Sequence, residues 1–205
     1  MKKSFILAAV IFLAFSCSSG EQQNQDDNPE QTRKTPVIEY SEHYTPEPHE
    51  PRYVFPVQPA DITSYVFEHH DYPATDIFAP EGTPVVAVTD GVVEWAKRED
   101  IWDPMTNLPE ERGGVSFSII GTDGWRYYGS HLQSLVPWIT EGYEIRAGEL
   151  IGYVGGSGNA RNTPPHIHFG ISRPTTPDDW VTRRGQIWPY PYLQDWESWE
   201  NTVPE

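Results

Sequence analysis

From Val54 onward, apolar runs of a few residues alternate with Gly, Pro, Asn and Asp, and no long stretch keeps an apolar residue at every third or fourth position. A chain without that periodicity cannot bury one face of a long helix, so short strands must build the core. "TPVVAVTDGVVEWAK" reads as two strands around the turn dipeptide Asp90-Gly91. "GVSFSIIGTDGWRYYGSHL" reads as a strand, a turn at Thr122-Asp123-Gly124 and a second strand, and "GYEIRAGELIGYVG" as a third pair turning near Ala147-Gly148. "HIHFGIS" is a last strand, and residues 132–139 form the one short helix that the pattern allows. The expected fold class is mainly β, an antiparallel sheet or sandwich with long loops. Residues 100–114, "DIWDPMTNLPEERGG", break one hairpin and read as an inserted surface loop. The tail, residues 173–205, is rich in Trp, Tyr and Pro and is expected to wrap the sheet, its aromatics serving packing.

The start of the chain has a different character. Lys2 and Lys3 precede an apolar run from Phe5 to Phe15, followed by Ser16 and Cys17. That run is too short for a mature spanning helix and reads as a secretory signal over residues 1–16. Cys17 is the only cysteine, and "AFSC" resembles a bacterial lipobox, which makes Cys17 the expected lipidation site. The competing reading is an ordinary signal with an incidental cysteine. A lipidated Cys17 would hold the chain on a membrane by acyl chains. With no second cysteine, no intramolecular disulfide can form, so an exported domain of this size needs its core or a metal to hold it. Residues 17–53 are polar, charged and Pro-rich, as expected of a disordered tether, and the folded domain spans 54–205. The net charge of −16 argues against nucleic acid and against docking on anionic headgroups.

Of the seven histidines, five fall in three short segments at strand edges. In "HIHF", His166 and His168 share one strand face, roughly 6–7 Å apart at Cα, while Ile167 and Phe169 face the other way. Buried imidazoles need partners, so one metal ligand and one proton-handling neighbour suit the pair. Upstream, "FEHHDYPATDIFAP" holds His69, His70, Asp71 and Asp76 ahead of a strand. Two histidines and a carboxylate make an N,N,O set of the kind that binds catalytic zinc and leaves a fourth position open. His131, in "YYGSHL", stands at the end of a strand. His43 and His49 read as solvated tether residues.

Together these segments resemble the M23 zinc metallopeptidases, the lysostaphin- and LytM-like peptidoglycan endopeptidases. "DIFAPEGTPVVAVTDGVV", "GELIGYVGGSGNA" and "TPPHIHFGIS" carry the resemblance over residues 54–172. The resemblance implies one zinc ion per chain held by His70, Asp76 and His168, with His69 as the alternative first ligand. It matches His131 and His166 to the two histidines that flank the metal without binding it. One would orient or deprotonate the attacking water; the other would stabilise the oxyanion or protonate the leaving amine. The five residues between His70 and Asp76, with "YPA" among them, leave the register between His69 and His70 open.

The expected function is an exported, zinc-dependent endopeptidase that cuts stems or cross-bridges of peptidoglycan. It is expected to be a monomer on a lipid anchor, at the outer membrane where the cell has one. The alternative is a non-enzymatic or self-inhibited module that binds the wall or regulates another hydrolase. In a self-inhibited form the 100–114 loop or the tether would cover the groove, with His43, His49 or Asp103 as a fourth ligand. Gly155, Gly156 and Gly158 read as a turn loop rather than a substrate cradle, Asn159 as turn or site, and Tyr128 as a packed strand residue.

Overall fold

The computed structural model describes residues 52–205, apart from Glu68 and Pro177. The expected signal, Cys17, His43 and His49 lie outside the described residues. Nine strands form one sheet: β1 (Ser64–Tyr65), β2 (Thr75–Phe78), β3 (Pro84–Val86), β4 (Gly91–Lys97), β5 (Val115–Gly121), β6 (Arg126–Leu135), β7 (Glu144–Ile145), β8 (Leu150–Val154) and β9 (His166–Ser172). The order is β1-β2-β9-β6-β5-β4-β7, and every pairing is antiparallel. The long β6 pairs with β5 and β9 along its first half and with β8 at its far end, where β8 carries β3. Val85, Ile151 and Val154 of that branch share one buried cluster with Ile77, Phe117 and Ile167 of the main sheet.

The β5–β6 hairpin turns at Thr122-Asp123-Gly124 as the sequence suggests, with Trp125 N–H donating to Asp123 Oδ1 at 3.0 Å. The other two expected hairpins do not form. β3 pairs with β8, while β4 pairs with β5 and β7. Gly91 is needed for a close approach rather than for a turn: a Cβ there would strike the Ile120 carbonyl oxygen and the Ile119 side chain. The third segment splits too, β7 going to β4 and β8 to β3 and β6.

The helix expected over 132–139 is absent. Leu132, Leu135, Val136 and Ile139 are buried at helical spacing, yet the first two belong to β6. The Arg98 guanidinium takes the carbonyls of Leu135, Val136, Pro137 and Ile139 at 2.7–3.1 Å, fixing the turn that follows the strand.

The tail forms two short helices, α1 (Trp180–Arg183) and α2 (Tyr190–Glu197). Leu193 and Trp196 of α2 are buried in the core. Trp196 stacks flat on Tyr53, centroids 5.3 Å apart, and Tyr53 N–H donates to Asn201 Oδ1 at 2.9 Å. Tyr53, expected in the tether, therefore belongs to the folded core. Replacing Trp196 with Ala removes the largest fully buried side chain. Denaturant unfolding should show a loss of about 3–5 kcal/mol; a loss below about 1 kcal/mol would mean that the tail is accessory.

Candidate metal and catalytic site

The β2–β9 register sets Asp76 opposite His168 and Phe78 opposite His166. Strand alternation then sends both carboxylate and imidazole to one face, with Ile77 and Ile167 in the core beneath. His168 Nδ1 lies 3.1 Å from Asp76 Oδ1, and its Nε2 donates to the Arg184 carbonyl at 2.9 Å. A carbonyl can only accept, so the Nε2 proton is committed there and Nδ1 presents a lone pair. A ring-nitrogen lone pair and a carboxylate oxygen at that separation repel unless a cation lies between them, either a proton or a metal ion.

The third member is His69, not His70. His69 is buried, its Nδ1 sits 3.3 Å from the Tyr72 carbonyl, and its Nε2 lies 3.6 Å from Asp76 Oδ1. Its ring meets Tyr72 edge-on at 4.6 Å and His168 at 4.8 Å. His70 is exposed and its ring meets that of His69 edge-on at 4.8 Å, although it reaches the rim of the same cavity. The structure brings His69 rather than the expected His70 to Asp76 and His168: the loop turns inward at His69 and outward at His70. Two adjacent histidines in an irregular loop carry no periodicity that could have told them apart.

The ligand atoms of His69, Asp76 and His168 all lie within 4.8 Å of one another. Ligands about 2.0–2.2 Å from a tetrahedral zinc stand roughly 3.2–3.6 Å apart, so the set fits zinc with a small inward shift of His69 toward His168. Both imidazoles also have the outer nitrogen tied to a backbone carbonyl, which fixes the tautomer a metal ligand needs. Burial works to raise the pKa of Asp76, but the contact with His168 and the surrounding imidazoles hold it at about 2.

His131 and His166 join the same cavity of about 880 Å³. His131 sits in a β-bulge: three steps along β6 from Gly129 to Leu132 face two along β5 from Val115 to Phe117. Its φ of +67° is uncommon for a non-glycine residue and turns the ring toward the cavity. The bulge is held on both sides, by His131 N–H to the Gly113 carbonyl at 2.9 Å and by Ser157 N–H to the His131 carbonyl at 3.3 Å. The ring donates from Nδ1 to the Ser157 carbonyl at 2.9 Å, and His166 donates from Nδ1 to the Pro164 carbonyl at 2.8 Å. The two rings are 5.1 Å apart and both leave Nε2 as a proton acceptor. Burial first, then the imidazoles of His168 and His166, push the pKa of His131 down to about 3, so it is a neutral base at neutral pH. With its N–H committed to Ser157, His131 can donate to an oxyanion or leaving amine only after it has first accepted a proton.

The surrounding walls hold residues that sequence patterns did not single out. Trp95, Tyr72, Ser130, Trp180, Arg183 and Arg184 all line the cavity. Tyr128 does so as well, its ring 6.1 Å from His168, although it is also a buried strand residue. The 100–114 loop forms one wall through Pro109, Glu110, Arg112 and Gly113. Asp103 stays within that loop, accepting from Met105 N–H at 2.8 Å, and is not among the lining residues. Asp100 ties the loop to the glycine segment by accepting from Gly158 N–H at 2.9 Å and Arg161 Nη2 at 2.9 Å. Gly158 has φ +64° and packs on the Arg112 carbonyl, so the loop contact needs it to be glycine. Asn159 lines the cavity from the next position.

Calorimetric zinc titration should show that His69→Ala abolishes tight binding while His70→Ala leaves it within a few fold. The reverse result would restore His70 as ligand. Acid should also act on the metal-free protein. His69 is held down to about 4 by burial first and then by His168, so both it and His131 resist protonation that the unfolded chain accepts below 6.5. Folded stability is then complete above pH 6.5 and is lost as pH falls toward about 3. Melting temperatures in chelator should stay level from pH 7.5 to about 6.5 and fall from there to pH 4.5, and His131→Gln should flatten the fall.

Comparison with known proteins identifies the family. The model for peptidase family M23 matches residues 70–180. The L-Ala–D-Glu endopeptidase of Bacillus subtilis is 32% identical over 131 residues, covering 62% of this chain and 35% of that protein. The DD-carboxypeptidase/endopeptidase Mpg of Neisseria meningitidis is 34% identical over 94 residues, covering 46% and 18%. The chain thus spans about a third or less of the length of these curated relatives. Among solved structures, a LytM protein of Ruminococcus gnavus superposes with a TM-score of 0.55 at 27% identity, over 74% of this chain and 63% of that one. The catalytic domain of lysostaphin from Staphylococcus simulans gives 0.51 at 24% identity, over 66% and 95%, a likeness of fold. With its antiparallel lysostaphin-type sheet and a family match over more than half its length, the chain belongs to peptidase family M23.

Proposed function

We propose that the protein is a zinc-dependent endopeptidase that hydrolyses peptide bonds of peptidoglycan stems or cross-bridges. The observation that carries this reading is the arrangement of four imidazoles around one carboxylate, each with one ring nitrogen committed to a backbone carbonyl. Two of them face Asp76 as a ligand set, and two stand beside it as bases. The names of the Bacillus and Neisseria relatives, both peptidases acting on D-amino-acid bonds, support peptidoglycan as the substrate class.

His69, Asp76 and His168 would hold the metal. Bound there, zinc supplies a Lewis acid that polarises a carbonyl oxygen and lowers the pKa of water toward neutrality. The chain's own residues do the rest. His131 and His166 each offer Nε2 to a proton released from the attacking water, and either returns it to the leaving amine once protonated. The carbonyls of Ser157 and Pro164 keep those rings from turning. Tyr72, Tyr128 and Trp180 wall the cavity.

Export and anchoring through Cys17 complete the proposal. A lipidated Cys17 at the end of the 1–16 signal would place the domain beside the wall, at the outer membrane of a two-membrane cell. The net charge of −16 gives no attraction to anionic headgroups, so acyl chains would have to carry the attachment. A non-enzymatic or self-inhibited module is not favoured. Both base positions and the ligand set are filled, and Asp103 makes no approach to them.

The test is mass spectrometry of fragments released from purified peptidoglycan by residues 17–205 with zinc. Defined peptide fragments should appear. His131→Ala and His166→Ala should each lower the rate by roughly 10²–10⁴ while keeping bound zinc. Absence of fragments from a zinc-loaded, folded protein would overturn the reading.

A further inference from the structure

The cavity has a cationic side that the reaction above does not use. In a chain with 14 basic and 30 acidic residues, Arg112, Arg183 and Arg184 all line it. Arg184 is the informative one. Its guanidinium carbon lies 3.8 Å from the centre of the Tyr72 ring and 5.3 Å from that of Trp180. Stacking fixes the plane of the group without using its N–H donors. Among the described residues, none accepts a hydrogen bond from that guanidinium and no carboxylate stands within ion-pair distance; its Nε is buried without an acceptor. Other arginines of this acidic chain are answered. Arg126 spends its fork on Glu94 with both contacts at 2.6 Å, and Arg161 pairs with Asp100 at 2.9 Å. An aligned guanidinium left without an anion beside a substrate cavity is organised for one that arrives with the substrate.

The position is close to the chemistry. Tyr72, under the guanidinium, has its ring 4.6 Å from that of His69 and 5.7 Å from that of His168. An extended peptide advances roughly 3.3–3.6 Å per residue, so Arg184 reaches groups within about two or three residues of the bond at the ligand set. The backbone of the same residue holds His168 through its carbonyl, which couples the subsite to the ligand set.

We propose that Arg184, stacked between Tyr72 and Trp180, is a carboxylate-binding subsite that selects peptides carrying a free carboxylate within about two or three residues of the bond cut. A glutamyl residue joined through its side chain, or a chain-terminal residue, presents such a group. The inference rests on the peptidase reading and specifies its substrate.

The experiment compares two synthetic stem peptides that differ only in having that carboxylate free or converted to the isosteric carboxamide. The zinc-loaded wild type should prefer the carboxylate peptide by about tenfold or more in kcat/KM. Arg184→Gln should bring the ratio to within about twofold of one, and Arg184→Lys, which keeps charge but not the fork, should fall between. The ratio is internal to each variant, so partial misfolding lowers both rates and leaves it readable. A wild type without preference, or an Arg184→Gln variant that keeps it, overturns the subsite and leaves the peptidase reading intact. If the zinc-loaded wild type cuts neither peptide, the peptidase reading fails for these substrates. Calorimetric titration of the same peptides then decides the subsite: a carboxylate preference lost in Arg184→Gln supports it, and equal binding of the two peptides overturns it.

Discussion

The contact between Asp76 and His168 across the β2–β9 pair is the constraint around which the site is arranged. A carboxylate and an imidazole forced together at a partly buried position need a cation between them, and burial makes the need stronger. His69 closes the third side, and Arg184 and Tyr72 supply the carbonyls that keep both ring lone pairs turned inward. Backbone acceptors suit this task because a strand or a tight loop holds them with little freedom, whereas a side-chain acceptor could swing away.

His131 shows what such holding costs. Its backbone is in the left-handed region, and the bulge removes a residue from regular pairing. The conformation persists because the Gly113 carbonyl, the Ser157 N–H and the Ser157 carbonyl grip the residue from two loops. Those loops are joined by Asp100, which contacts Gly158 and Arg161. The inserted segment at 100–114 is thus part of the support of His131. The tail plays a matching role for the Asp76–His168 side. Trp196 and Leu193 lock it into the core, and the Arg184 carbonyl at its near end orients His168.

Much of the site was legible because strand alternation is a strong rule. Two histidines at i and i+2 in an apolar strand must share a face, and His166 and His168 do. Asp76 could be singled out because a strand begins beside it, and His131 because it ends an apolar run. His69 and His70 could not be separated, since the choice depends on how a loop packs against Tyr72 and His168. Arg184 carried no pattern at all. Its part follows from a tail that returns to the sheet, a contact between residues far apart in the chain.

The sequence by itself determined an all-antiparallel β architecture, the short strands, the β5–β6 hairpin and the residue types of an N,N,O metal set. These follow from local chemistry: turn residues, period-two patterning and the donor atoms of side chains. Only the tertiary structure decided which strands pair, which of two adjacent histidines turns inward, and which tautomer each imidazole holds. Pairing partners are chosen by long-range closure of the core, as Gly91 shows by packing on β5 rather than turning back to β3. Tautomers are chosen by backbone carbonyls that approach each ring only after the fold has brought them there.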